Sequence, residues 1–86
     1  MKNIVCSIHP FDKEQQIVVY DNGNKIALEH CSLDDIPVKI IQLSAQYNLT
    51  DITLTGSRIY GNKTKQKIEE KELSLYHKNK LDIKLF

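Results

Sequence analysis

The sequence has few of the residues that cross-link very small domains. Only two cysteines occur among its 86 residues, and tryptophan is absent. Secreted chains of this size usually have a denser set of cysteines that form disulfides. Cys6 and Cys31 do not form a CxxC pair. We therefore interpret both as buried or half-buried thiols and expect a protein of the reducing cytosol, with a cytoplasmic location.

Long apolar runs and an excess of charge of one sign are also missing. The N-terminus lacks the apolar stretch of a signal peptide, and no segment approaches the roughly 20 apolar residues that span a bilayer. The formal net charge is only +1, so there is no overall attraction to nucleic acids or membranes. The length fits a single domain, 1–86, and its thin core leads us to expect a homo-oligomer.

Alternating apolar residues predict three strands in the first third of the chain. Residues 4–8 alternate with a period of two, and residues 17–20 form a β-branched and aromatic run. Asn22-Gly23 suits the positive φ angles of a two-residue hairpin turn. Residues 25–31 are predicted to return as a third strand, with Ile26 and Leu28 on one face.

A helix, a strand, a second helix and a closing strand are predicted to follow. The first helix starts within 32–35, with Asp34 or Asp35 as its cap and Pro37 in its first turn. Asn48 is predicted to end it. A strand over 50–55 precedes a largely solvated helix over 59–72. Residues 73–76 fit either a helix end or a short strand, 77–80 a polar loop, and 81–86 a strand.

The predicted fold class is α/β (α+β) with the order β-β-β-α-β-α-β. Right-handed crossovers place both helices mainly on one face of a mixed sheet. This order resembles the core of the ribonuclease H-like and actin-like superfamily, which implies a central five-stranded sheet. The other face is predicted to be mixed in polarity. Its predicted members are Val5, Ser7, His9, Val18, Tyr20, Asp51, Thr53, Thr55 and Lys84.

The catalytic features of that superfamily are not matched. Its nucleases need clustered carboxylates that hold two metal ions, yet the first strand contains no acid. Asp12 lies beyond that strand, and Asp51 begins the fourth strand instead of ending it. The glycine-rich phosphate loops of an actin-like ATPase are also missing. We therefore predict no enzyme, catalytic residue, metal or cofactor, and a divergent nuclease or phosphatase is kept only as an alternative.

A second resemblance is to small uncharacterised accessory proteins of bacteriophages and prophages. It rests on residues 8–11 (IHPF), 16–23 (QIVVYDNG), 47–49 (YNL) and 52–56 (ITLTG), together with Tyr60. It implies an accessory protein that acts in the cytosol of a bacterial host. It assigns a role to no individual residue.

One segment is a candidate ligand site, because a strand ends there in Gly-Ser and a helix follows. Backbone amides at a helix start can bind phosphate, and Gly56 would allow a close approach. Arg58 and Lys63 would add positive charge, and Tyr60 would stack on a base. The alternative is an ordinary strand-to-helix turn with Ser57 as the helix cap.

Two further surfaces are candidate binding sites. Val5, Val18, Tyr20 and Phe86 form a candidate apolar interface on the exposed sheet face. The lysines after residue 62 alternate with glutamates, which favours a solvated helix face over a nucleic-acid site.

The function predicted from these observations is that of a non-enzymatic, phage-type protein that binds a host protein, for example to inhibit a bacterial defence system. The alternative is a small oligomeric binder that sequesters a phosphate-containing ligand or a nucleotide signal at Gly56, Ser57, Arg58, Tyr60 and Lys63.

Overall fold

The computed structural model describes residues 1–74 and 80–86, with Ser74 described by its backbone alone. The predicted order of elements is confirmed. The strands and helices are β1 (Lys2–Ile8), β2 (Gln15–Asp21), β3 (Asn24–Cys31), α1 (Ile36–Tyr47), β4 (Asp51–Gly56), α2 (Arg58–Ser74) and β5 (Asp82–Leu85). The segment predicted as a helix end or short strand is helical as far as residue 74. The rest of that segment and most of the predicted polar loop lie outside the described residues.

The five strands form one mixed sheet in the order β3-β2-β1-β4-β5. The first three strands are antiparallel neighbours, and β1, β4 and β5 run parallel. Helix α1 contacts β1 and β2, and α2 contacts β4 and β5. Both helices pack on the same face, which we call the inner face; the opposite face is the outer face. The predicted fold class is therefore confirmed.

Branched aliphatic side chains between the sheet and the helices form the core. Strand residues alternate between the faces, so alternate residues are buried from Ile4 to Ile8 in β1 and from Gln15 to Val19 in β2. The core consists of Ile4, Cys6, Ile8, Ile17, Val19, Ile36, Ile40, Ile41, Leu43, Leu49, Ile52, Leu54, Ile68, Leu81 and Ile83.

The predicted turn residues adopt the expected backbone conformations. Asn22 and Gly23 have φ angles of 51° and 83°, as a two-residue hairpin turn requires. Asn48 ends α1 in the left-handed conformation, with φ of 52°. Asp35 is the N-cap residue of α1, and Pro37 lies in the first turn, as predicted. A 3-10 helix, Leu33–Asp35, precedes α1.

Strand β3 contains an irregularity that its sequence pattern does not show. Val19 pairs with Ala27 and Tyr20 with Lys25, so Ile26 has no partner in β2 and forms a β-bulge. Ile26 and Leu28 both remain 43% exposed. The residues of β3 that pack against the core are Ala27 and Cys31.

Candidate functional site

Two turns leave the sheet side by side where the parallel strands β1 and β4 end. Ile8, the last residue of β1, is in register with Gly56, the last residue of β4. The β1–β2 loop (residues 9–14) follows Ile8. The β4–α2 turn (Gly56-Ser57) leads into α2. The carboxyl ends of parallel strands are common binding positions in open sheets, so both turns are candidate sites.

Gly56 is explained by packing in the β4–α2 turn. Its φ is +90°, a conformation that other residues rarely adopt, and a Cβ atom there would overlap the carbonyl oxygen of Ile8. The next amide, that of Ser57, donates a hydrogen bond of 2.9 Å to this same carbonyl oxygen. The space next to Gly56 that a ligand would need is therefore occupied by the backbone of β1.

Ser57 is the cap of α2, as the alternative interpretation of this segment expects. Its Oγ accepts a 3.3 Å hydrogen bond from the amide of Tyr60. The Lys63 ammonium lies 5.2 Å from the centre of the Tyr60 ring, so these two candidate residues are together. Arg58 is exposed on the same turn of the helix. The five candidate residues line neither the cavity beside the β1–β2 loop nor the two cavities beside α1 that the structure describes.

The candidate interface on the outer face is only partly assembled. Val5 and Val18 are directly opposite each other on β1 and β2. Tyr20 is two residues from Val18 along β2 and is half-buried. Phe86 is 70% exposed and lies at the far side of the sheet, where its amide donates to Leu54 of β4. Phe86 therefore does not join the valines.

Leu28 joins the two valines, which the sequence analysis did not anticipate. It lies opposite Val18, so Leu28, Val18 and Val5 form a continuous row across three strands. We call this row the apolar stripe. Polar residues continue it on β4, where Thr53 is the partner of Val5. In the part of the chain that the structure describes, both helices lie on the other face of the sheet.

The two sheet edges have features that oppose pairing with another strand. Strand β3 has the bulge at Ile26, and Glu29, on its inner side, forms an ion pair of 3.5 Å with Lys39 of α1. Strand β5 has only four residues. Bulges, inward charges and short strands are the usual protections of sheet edges, so the open surface of this sheet is its outer face.

The thiols and imidazoles do not form a reactive site within residues 1–74 and 80–86. Cys6 and Cys31 are both free. Burial raises the pKa of the Cys6 thiol to about 12, with a further contribution from Cys31, so little thiolate forms at neutral pH. His9 and His30 are exposed, and His77 lies outside the described residues. These residues include no group of three His, Cys, Asp or Glu side chains that would hold a metal ion.

Two residues at the β1–β2 loop, one within it and one directly after it, were given no role by the sequence analysis. Phe11 is 100% exposed at this loop, whereas Gln15, the first residue of β2, is only 1% exposed. The Gln15 side chain forms three hydrogen bonds to the backbone of His9 and Asp12. An apolar residue directly after proline, within an otherwise polar segment, was the only sequence signal for this feature.

Comparison with known proteins identifies the fold and nothing finer. No family model matches the chain, and no curated protein matches it. A solved structure from Bacteroides thetaiotaomicron, described as a protein with an actin-like ATPase fold and unknown function, is similar with a TM-score of 0.63 and 12% identity. The similarity covers 96% of this chain and 32% of the other. The chain thus has the ribonuclease H-like, actin-like architecture that was predicted, and it spans about a third of that neighbour's length.

A membrane-crossing helix is not among the described elements: none of these helices is both long and apolar enough.

Proposed function

We propose that this chain is a non-enzymatic domain of the cytosol that binds another protein through the outer face of its sheet. The observation that supports this most directly is the apolar stripe of Leu28, Val18 and Val5. It lies on the face opposite both helices, and Leu28 at its end is 43% exposed. Contiguous apolar surface with a polar surround is typical of protein-binding sites.

The partner that we propose is a different protein. Strand addition by a second copy is opposed at both sheet edges by the bulge, by the inward-facing Glu29 and by the shortness of β5. Face-to-face stacking of two copies remains an outcome of the test, which sedimentation or light scattering of the purified chain detects. A phage origin, and the inhibition of a defence system, are predictions of the resemblance described above.

The experiment places a photo-crosslinking amino acid at one of two exposed apolar positions. Leu28 lies at the end of the apolar stripe, and Ile59, 69% exposed on α2, is the matched control. We expect one discrete adduct with a cellular protein from position 28 and none from position 59. The captured protein is then purified and titrated with the chain. Val18→Lys should weaken binding about tenfold or more, because a charge would enter a desolvated contact.

Two results would contradict the proposal. Equal adducts from positions 28 and 59 would show that the contact is not specific to the outer face. Unchanged affinity of the Val18→Lys variant, with Ile59→Lys as the control, would show that the apolar stripe is not part of the contact.

Capture of a phosphate-containing ligand at α2 is the second candidate function. It is supported by the exposed pair of Tyr60 and Lys63 next to Arg58, in a first helical turn without acidic residues. Native mass spectrometry of the gently purified protein tests it. A retained mass of a few hundred daltons that is lost in the Arg58→Ala, Tyr60→Ala double variant would favour this function over protein binding.

A further inference from the structure

A fully exposed phenylalanine in the β1–β2 loop is the largest apolar group that the described fold leaves in water. Phe11 is 100% exposed, more than Phe86 at 70%. An aromatic ring has a large apolar surface, and its burial is among the strongest contributions a single side chain makes to an interface. Within residues 1–74 and 80–86, no contact covers that surface of Phe11.

Hydrogen bonds of the Gln15 side chain hold the β1–β2 loop, which bears Phe11, in one conformation. The amide of His9 donates to Oε1 of Gln15 at 2.6 Å, and Nε2 of Gln15 donates to the carbonyl oxygens of His9 and Asp12 at 2.8 and 3.1 Å. The amide of Asp12 closes a turn with a 2.9 Å hydrogen bond to the carbonyl oxygen of His9. Pro10 fixes one further backbone angle.

A ring on such a loop is already arranged for contact. A flexible side chain and loop lose conformational entropy when a partner immobilises them, whereas a preorganised loop loses little. The buried Gln15 therefore lowers the entropy that a contact through Phe11 would cost. This arrangement distinguishes Phe11 from Phe86, which lies near the chain end beyond β5.

An acidic cavity lies beside the loop. It has a volume of about 280 Å³ and is lined by Ser7, His9, Asp12, Glu14 and Gln16. Carboxylate oxygens accept hydrogen bonds and attract cationic side chains. Lys13, between Asp12 and Glu14 in the sequence, is not among the lining residues. The cavity therefore suits a positively charged side chain from outside.

We propose that the β1–β2 loop is an anchor, in which Phe11 enters an apolar socket of a partner protein while an Arg or Lys beside that socket enters the acidic cavity. This inference rests on the proposed function, because it takes the partner to be a protein, and it adds the chemistry of the partner's surface. An anionic membrane fits less well, since Asp12 and Glu14 would be repelled by its charge.

A defined probe reproduces this chemistry without the natural partner. β-Cyclodextrin offers an apolar cavity, and its per-amino derivative adds a ring of ammonium groups at the rim. We expect the wild-type chain to bind the cationic form about threefold to fivefold more tightly than the neutral form, as exposed charge pairs allow. Phe11→Ala should abolish the binding of both forms, whereas Phe86→Ala, the matched control, should leave it unchanged.

A second pair of variants tests the contribution of the acidic cavity. Asp12→Asn with Glu14→Gln should remove the preference for the cationic probe and keep the binding of the neutral one. Glu69→Gln with Glu70→Gln removes the same charge from an exposed part of α2 and should keep the preference. Loss of binding in Phe86→Ala equal to that in Phe11→Ala, or a preference that survives the loop double variant, would overturn the inference.

A tryptophan at position 11 distinguishes binding to an apolar pocket from binding to a lipid surface. Phe11→Trp introduces the only tryptophan of the chain, so its emission reports this position alone. We expect a blue shift with the cationic cyclodextrin and none with vesicles of phosphatidylcholine and phosphatidylglycerol. A blue shift with the vesicles would assign the loop to membranes and overturn the protein socket.

The Phe11 anchor and the outer-face contact are tested by different experiments, so failure of one can be told from failure of the other. Val18→Lys alters the apolar stripe and should leave the cyclodextrin titrations unchanged. In cells, a crosslinker at position 11 should capture the same protein as one at position 28. Capture from position 28 alone would overturn the anchor, and capture from position 11 alone would support the anchor and contradict the outer-face contact.

Discussion

The β4–α2 turn and the β1–β2 loop leave the same end of the sheet, yet their residues serve different purposes. In the turn, Gly56 and Ser57 bond to and pack against the end of β1. In the loop, a buried glutamine holds the backbone, and Phe11 is left fully exposed. The turn looks more like a ligand site in sequence, but its special residues are accounted for by the fold. The group whose position is not explained by packing within the described residues is Phe11, in the loop.

The largest expected effect concerns Gly56. Gly56→Ala should lower the free energy of unfolding by about 3 kcal/mol, because it combines a strained φ with a backbone overlap. Gly23→Ala is the matched control: Gly23 also has a positive φ, but nothing lies within 4 Å of the added Cβ atom. This control should lose only about 1 kcal/mol. Urea unfolding followed by circular dichroism measures both, and equal losses would show that the contact with Ile8 is unimportant.

A smaller loss is expected for Gln15→Ala. The change removes three hydrogen bonds from buried or half-buried backbone groups of the loop, and it should lower the free energy of unfolding by about 2 kcal/mol. In the Phe11→Trp background it should also lower the fluorescence anisotropy of the tryptophan. Gln16→Ala, at the exposed neighbouring position, is the control. If the anisotropy stayed the same, Gln15 would not be what holds the loop.

The helix cap of the turn is expected to contribute less than the buried glutamine. Ser57→Ala should cost about 1 kcal/mol, because the Tyr60 amide loses its acceptor, and Ser57→Asp should keep most of the stability. Ser32→Ala serves as control, since Ser32 precedes the short 3-10 helix without a capping hydrogen bond. Thermal unfolding compares the variants. Equal losses for both serines would argue against the cap.

The smallest effect on stability is expected for Phe11 itself. Phe11→Ala should change the free energy of unfolding by less than about 0.5 kcal/mol, because the ring is fully exposed and its removal leaves no cavity. The urea unfolding used for Gly56→Ala measures it. A loss near 2 kcal/mol would mean that the ring packs against the domain in solution, and the contrast between the loop and the turn would then disappear.

Local sequence signals predicted the fold well. Asn22-Gly23 and Asn48 have side chains and backbones suited to positive φ angles, so the hairpin and the end of α1 were identifiable. The alternation in β1 identified its buried face, and the β-branched run in β2 identified a second strand. Right-handed crossovers then placed both helices on one face. These are consequences of short-range geometry, which a single sequence contains.

The site was predicted less well, because its features depend on distant contacts. The bulge at Ile26 depends on the register with β2 and is invisible in a pattern of single residues. The sequence does not show that Gln15 is buried and reaches back to His9, or that the Phe11 ring is left fully exposed. The sequence analysis correctly expected a close approach to the backbone of Gly56. The group that approaches it is the carbonyl oxygen of Ile8, where the sequence analysis had expected a ligand.

The central position of β1 also determines the order in which the strands pair during folding. Its antiparallel partner β2 begins at Gln15, a short loop away, whereas its parallel partner β4 begins only at Asp51. Closing the longer loop costs more chain entropy, and distant pairings form more slowly. During folding, the three-stranded meander should therefore appear before the β4–β5 half of the sheet. Pulsed hydrogen exchange should protect the amides of β2 and β3 before those of β5.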